Sequence, residues 1–369
     1  MTHRVRLEQI RWYRMRANGL VEPFADAETA CARIAGVQAQ IVPAAGLSIR
    51  ARTRGFTHAQ LERMLYDDRT LVKLWGQRHT LHLYPTREWP LVHAAMAVRE
   101  TWWERQIRQH GGDLDVHRAM VDRIERLLRR RGTLGRSDLR GAKLGVSDEM
   151  LSSWGGVFAE LVRRGHAVHA RPEGSEGRFA HRTHWVRDLA WAPPDAEDAN
   201  VEWVRRYLHA YGPSSIQDVA YWRGCRVGDA LRWVRHLGTA VTTVEWRERE
   251  CFFLADDLDE LMAKPPAKDA WPTRMLYRFE PYLLAHREKG WAVPEAHYAR
   301  VWRPAGHIEG IVLVAGSAVA TWRYERDDRG FAIDVHPFAR LARAVVRAVE
   351  TESEDVARYF GVRCRELRV

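Results

Sequence analysis

Ala167-Val-His-Ala-Arg171, Pro172-Glu-Gly-Ser-Glu-Gly177 and Arg178-Phe-Ala-His-Arg182 read as two short β-prone arms around a tight turn. Gly174 and Gly177 suit such a turn, so the stretch predicts a β-hairpin with cationic arms. Before it, from Asp115, Ile124, Leu127 and Leu128 form an apolar stripe at helical spacing. Gly132-Thr-Leu-Gly-Arg-Ser-Asp-Leu-Arg140 and an apolar segment from about 148 to 164 follow. A helix, a short second helix after a Gly/Ser/Thr turn, a third helix and a hairpin make the winged helix-turn-helix plan.

The same plan recurs on both sides. Downstream of a Pro-Pro-Asp-Ala-Glu-Asp linker at 193–198, residues 203–211 lead to Gly212-Pro-Ser-Ser, where Ser214 or Ser215 would cap the second helix. A helix over 227–236 then precedes β-rich arms around Arg247 and Arg249. Upstream, helices are predicted near 4–17, 26–36 and 58–67, then strands 71–75 and 80–84 around Gly76. After Lys264-Pro-Pro-Ala-Lys268 the alternation in 310–315 and 318–322 predicts antiparallel strands, and 338–358 a closing amphipathic helix. The expected fold class is α+β, mainly helical, clamp-like. Its parts are a first winged helix with connecting helix at 1–114, a second at 115–192, a third at 199–258 and a β-rich C-terminal domain at 271–369.

The 369 residues carry 58 Lys and Arg against 48 Asp and Glu, a net charge of +10. The isoelectric point near 9.7 favours a polyanionic partner, nucleic acid first. Lysine occurs only at 73, 143, 264, 268 and 289, so arginine, suited to bidentate phosphate contacts, supplies most of the charge. A GC-rich coding bias would produce the same preference. Cys31, Cys225, Cys251 and Cys364 are scattered singly, which argues against a zinc or iron-sulfur site and against a disulfide scaffold. The N-terminus lacks an apolar signal core and no run reaches the ~20 apolar residues of a membrane span. A cytoplasmic, nucleoid-associated monomer without membrane contact is expected.

One winged helix alone also serves protein interaction, so a scaffold or a non-catalytic transcriptional regulator would fit a single copy. Three copies with this charge favour duplex DNA. The first copy holds Val37-Gln38-Ala39-Gln40 followed by Arg50, Arg52 and Arg54. On an extended chain the period of two would put both amides on one side and the three guanidinium groups on one side. Surface amides beside a solvated face are the plain alternative.

The run Val37-Gln38-Ala39-Gln40 with Pro43-Ala-Ala, then Trp75-Gly-Gln-Arg78-His-Thr-Leu-His82-Leu, Tyr211-Gly-Pro-Ser-Ser, Ala220-Tyr-Trp222 and Pro281-Tyr-Leu-Leu-Ala-His-Arg287, resembles the AlkZ/YcaQ group of bacterial winged-helix DNA glycosylases over nearly the whole chain. The resemblance implies the glutamine-x-glutamine, AlkZ-like branch. That branch includes self-resistance enzymes that unhook alkylated purines or interstrand crosslinks made by genotoxic natural products. It carries a catalytic role to Gln38 and Gln40. Related chains often have Asp before Pro-Tyr-Leu-Leu, where this one has Glu280, so no role passes to that carboxylate. The other matching stretches are expected to be structural.

The implied chemistry suits amides. An N7-alkylated purine is already a cationic leaving group, so no strong general acid is needed, only a positioned water and dipoles facing an oxocarbenium-like sugar. A glutamine carbonyl can accept from that water while its NH2 donates to sugar or phosphate. Expected phosphate contacts are Arg50, Arg52, Arg54, Lys73, Arg78, His79, Arg171, Arg178, Arg182, Arg247 and Arg249. No cofactor or metal is expected. Without a lysine placed for Schiff-base chemistry, hydrolysis without strand cleavage is expected.

Overall fold

A computed structural model describes residues 3–97, 100–152, 156–327 and 330–369, and the winged helix order recurs in it three times. The first copy runs through helices Ala27–Arg33, Val42–Arg50 and His58–Tyr66 to strands Leu71–Trp75 and Leu81–Pro85. The second runs through Leu114–Arg131, Arg136–Gly141 and Gly156–Arg163 to Ala167–Glu173 and Glu176–His181. The third runs through Ala196–Tyr211, Ile216–Arg223 and Val227–His236 to Val241–Trp246 and Arg249–Leu254. Between its first and second helices each copy makes a minimal bridge, antiparallel to the returning wing arm. Val37 lies opposite Leu83, Thr133 opposite Ala180 and Ser214 opposite Phe252. The bridge satisfies the backbone as the chain turns and fixes where the second helix begins.

Two compact units result, Met1–Leu61 with Gln77–Leu83 and Asn200–Val369, and Glu62–Gly76 with Tyr84–Ala199. In the larger unit the strand His3–Arg4 adds in parallel to the third wing. A five-stranded sheet follows, with Arg274–Leu276, Gly310–Val314, Ser317–Asp327, Gly330–Pro337 and Cys364–Arg368 in chain order. Its last pair is parallel because the helix Arg343–Tyr359 carries the chain back across, as a parallel connection requires. The sheet shares a core with the N-terminal helix Leu7–Ala17 and the turn after it, where Met15 and Leu20 meet Leu276, Tyr282, Trp291, Ile311 and Leu313. In the smaller unit Phe158 stacks on Phe179 beneath the hairpin at 4.2 Å. Among the described residues no helix is long and apolar enough to cross a membrane.

Several boundaries differ from the sequence expectation. The largest concerns 36–56, which is extended only at Val37–Gln38: Val42–Arg50 is a helix, started by Pro43 in its first turn. Gly46, a poor helix former, is required there because a Cβ would come within 1.8 Å of the Tyr359 hydroxyl. The linker at 193–198 already enters a helix at Ala196, where Asp195 accepts from the Glu197 amide. The second hairpin narrows to a turn at Gly174-Ser175, with Gly174 at φ +59°. Of the helix expected over 148–164, the described parts are the turn Glu149–Leu151 and Gly156–Arg163, and 153–155 lie outside the described residues. The closing helix starts at Arg343 instead of Phe338. Ser215, not Ser214, caps Ile216–Arg223, in a capping box with Asp218.

Candidate active site

Gln38 ends the short strand Val37–Gln38, paired with His82 on the returning arm of the first wing. It is 7% exposed and lines a recess with Gly36, Gln77, Arg78, His82, Tyr211 and Trp222. Pro281, Leu284 and Ala285 complete the wall. The volume open to water centres is about 10 Å³, room for roughly one molecule. Apart from Pro43-Ala-Ala, the five stretches that carry the family resemblance therefore meet at one place. Four of them were expected to be merely structural.

The Arg78 guanidinium, donating at 2.8 Å, fixes the carbonyl oxygen of Gln38 and so turns its NH2 the other way. Arg78 also donates to the Trp222 carbonyl, from a left-handed backbone at φ 54°. Gly224 ends Ile216–Arg223 directly beneath it, where a Cβ would lie 2.9 Å from the Arg78 Cα. Two winged helices thus lock the one side chain that orients Gln38. Gln40 differs: it is exposed, and its carbonyl accepts from the Leu81 amide at 3.3 Å.

His82 is buried, and its Nδ1 donates to the Thr80 carbonyl at 3.0 Å, leaving Nε2 as an acceptor. Burial first, and the Arg78 charge second, push the imidazole down to about 3. It stays neutral at any working pH. Because the unfolded imidazole protonates near 6.5 and the folded one resists until about 3, stability falls as the medium is acidified through that window. Between pH 7 and pH 5 the expected loss from this residue is about 2 kcal/mol. Urea unfolding at both pH values should show a difference that shrinks by that amount in His82→Asn.

The expected phosphate contacts separate sharply. Arg50 and Arg52 are corrected outright, because both are interior. Arg50 pairs with Glu352 at 3.1 Å and with Asp355 at 3.2 Å. Arg52, fully buried, pairs with buried Glu280 and donates to the Ser48 carbonyl at 2.9 Å. Charged groups survive in a core only when paired in this way. Lys73 is half-buried in its strand, and burial lowers its ammonium to about 8. Arg78 turns inward to Gln38 as described. On the second hairpin Arg178 pairs with Asp138 at 2.7 Å, and Arg182 lies 3.8 Å over the Trp191 ring. Arg171 is exposed but paired with Asp67 and Glu62. Arg54, His79 and Arg247 are exposed, and exposed Arg249 pairs with Glu288 at 2.8 Å.

Two further groups concern cofactors and covalent chemistry. Among the described residues Glu125, His166 and His181 bring potential metal ligands within 4.8 Å. His181 Nε2 and the Glu125 carboxylate already bond each other at 3.0 Å, so the contact is accounted for without an ion. Lys289 is buried under the rings of Tyr221 and Trp302, and burial lowers its amine to about 7. It donates to the His286 carbonyl and does not line the recess.

A family description, DNA glycosylase AlkZ-like, matches residues 31–359. The interstrand DNA cross-link repair glycosylase of Streptomyces sahachiroi is 28% identical over 351 residues, covering 91% of each chain. The solved structure of Streptomyces sahachiroi DNA glycosylase AlkZ superposes with a TM-score of 0.81 at 26% identity, covering 99% of both chains. A winged-helix chain whose matching stretches converge on Gln38, and which matches that description over most of its length, belongs to the AlkZ-like DNA glycosylase family.

Proposed function

We propose that the protein hydrolyses the N-glycosidic bond of bulky alkylated purines of the N7-alkylguanine type in duplex DNA, including crosslinked ones. The Streptomyces relative is an interstrand DNA cross-link repair glycosylase, which supports crosslinked duplex DNA as the substrate; a role in self-resistance is what the resemblance to the glutamine-x-glutamine branch implies. The observation that carries the reading is the recess itself, at Gln38, with room for about one water. A bulky lesion then need not enter a snug base pocket of the kind other glycosylases use.

In this reading the water oxygen forms a bond to C1′ as the C1′–N9 bond breaks. The bonding pair goes to the base, which leaves neutral, and the water's proton passes to solvent. Gln38, its carbonyl held by Arg78, presents its NH2 to a phosphate oxygen beside the lesion, and the Gln40 carbonyl accepts from the water. Arg54, His79, Arg247 and Arg249 remain the proposed backbone contacts from the sequence, whereas Arg171 is taken up by Asp67 and Glu62. Covered by its aromatic neighbours, Lys289 forms no imine, so no strand cleavage follows.

The test is an alkylated duplex incubated with purified protein, with and without hot alkali. Strand breaks that appear only after alkali are expected. Breaks without alkali would establish a lyase step, and none under either condition would overturn the glycosylase reading.

A further inference from the structure

The long first helix of the second winged helix, Leu114–Arg131, holds arginines at 118, 123, 126, 129, 130 and 131. At 100° per residue Arg123, Arg126, Arg130 and Arg131 share one face, and Asp122 and Glu125 fall outside it. With Leu127, Ala142 and Leu144 these four arginines line an open groove of about 360 Å³.

Arg123, Arg126 and Arg130 are exposed and, among the described residues, have no carboxylate within ion-pair distance, while Arg131 reaches Asp138 at 3.5 Å. Like charges three and four residues apart destabilise a helix unless an anion lies between them. Compensation of the helix dipole accounts for basic residues in the last turn, not for Arg123 and Arg126 further back. The hairpin of the same module, where the cations were expected to work, has Arg178 and Arg171 neutralised by its own unit's carboxylates.

We infer that this groove, and not the hairpin, is where the second winged helix grips the sugar-phosphate backbone of duplex DNA. Axial rises of about 4.5 Å from Arg123 to Arg126 and about 6 Å on to Arg130 set three guanidinium forks in a row. A row suits successive phosphates of one strand, each taken bidentately, better than it suits one small anion. The inference rests on the reading of the protein as a DNA enzyme.

The test measures the affinity of the full chain for an unmodified duplex at several salt concentrations. In R123Q/R126Q/R130Q the slope of log affinity against log salt should become shallower by about 2 to 3, since each lost phosphate contact removes roughly 0.9. The triple lysine variant R123K/R126K/R130K should recover most of that slope. Thermal unfolding should not fall, because the replaced side chains are exposed and their mutual repulsion is relieved. An unaltered slope in the glutamine variant would overturn the groove and leave the glycosylase reading standing. Loss of inorganic pyrophosphate binding with an unaltered DNA slope would assign the groove to a small anion and overturn it equally. If the unmutated protein lacks salt-dependent DNA affinity, the groove and the DNA reading fall together.

Discussion

Gln38→Ala should slow excision of an N7-alkylguanine about 100-fold in single-turnover measurements, with duplex affinity unchanged. The size follows from removing one preorganised polar group aimed at developing charge. The insensitivity of affinity follows because an amide carries no charge to displace counterions. Since Gln38 also accepts from Arg78, the alanine variant could lose rate through disorder of that guanidinium. Gln38→Glu separates the two causes. Its carboxylate keeps Arg78 in place by an ion pair but abolishes the NH2. If the NH2 does the work, Gln38→Glu is as slow as Gln38→Ala; if Gln38 serves only to hold Arg78, it excises at the parental rate. Gln40→Ala, at an exposed position with no such partner, should lower the rate without touching stability. Parental rates in both alanine variants would remove the amides from the chemistry.

Local chemistry explains which elements could be read from the chain. The third wing follows its alternation, and Val227–His236 follows its apolar spacing, because neighbouring residues alone decide both. Val42–Arg50 escaped because Pro43 and Gly46 read as loop residues, and the reason for Gly46 is Tyr359, more than 300 positions away. Arg50 and Arg52 met the same obstacle: their partners Glu352 and Glu280 lie far off in the chain, and spacing carries no trace of them. The amides themselves were visible through the family resemblance. Their surroundings were not, since Tyr211, Trp222 and Pro281 look like core until the third winged helix and the segment Pro281–Leu284 close on Gln38. Arg123, Arg126 and Arg130 stand in the sequence as a helical stripe, but only the fold separates them from the hairpin cations that carboxylates neutralise.

Arg52→Met should cost about 3 to 5 kcal/mol of folding stability, because it strands the Glu280 carboxylate in the interior. Both groups are fully buried, and Glu280 also accepts from the Ser48 hydroxyl at 3.0 Å and from the Tyr282 amide at 3.2 Å. The second contact caps the turn Pro281–Leu284, whose residues wall the recess beside Gln38. An ion pair between the segment after the Val42–Arg50 helix and the segment before Pro281 therefore sets the back of the site. Against a total stability of roughly 5–15 kcal/mol, the loss would leave the variant near its unfolding limit. Glu280→Gln, which keeps the shape and one capping oxygen, should cost less. Combined as Arg52→Met/Glu280→Gln, the pair should be more stable than Arg52→Met alone, since the stranded charge is gone. Urea midpoints of the three variants measure this coupling. Strict additivity would mean that the carboxylate is solvated in solution and does not hold the wall in place.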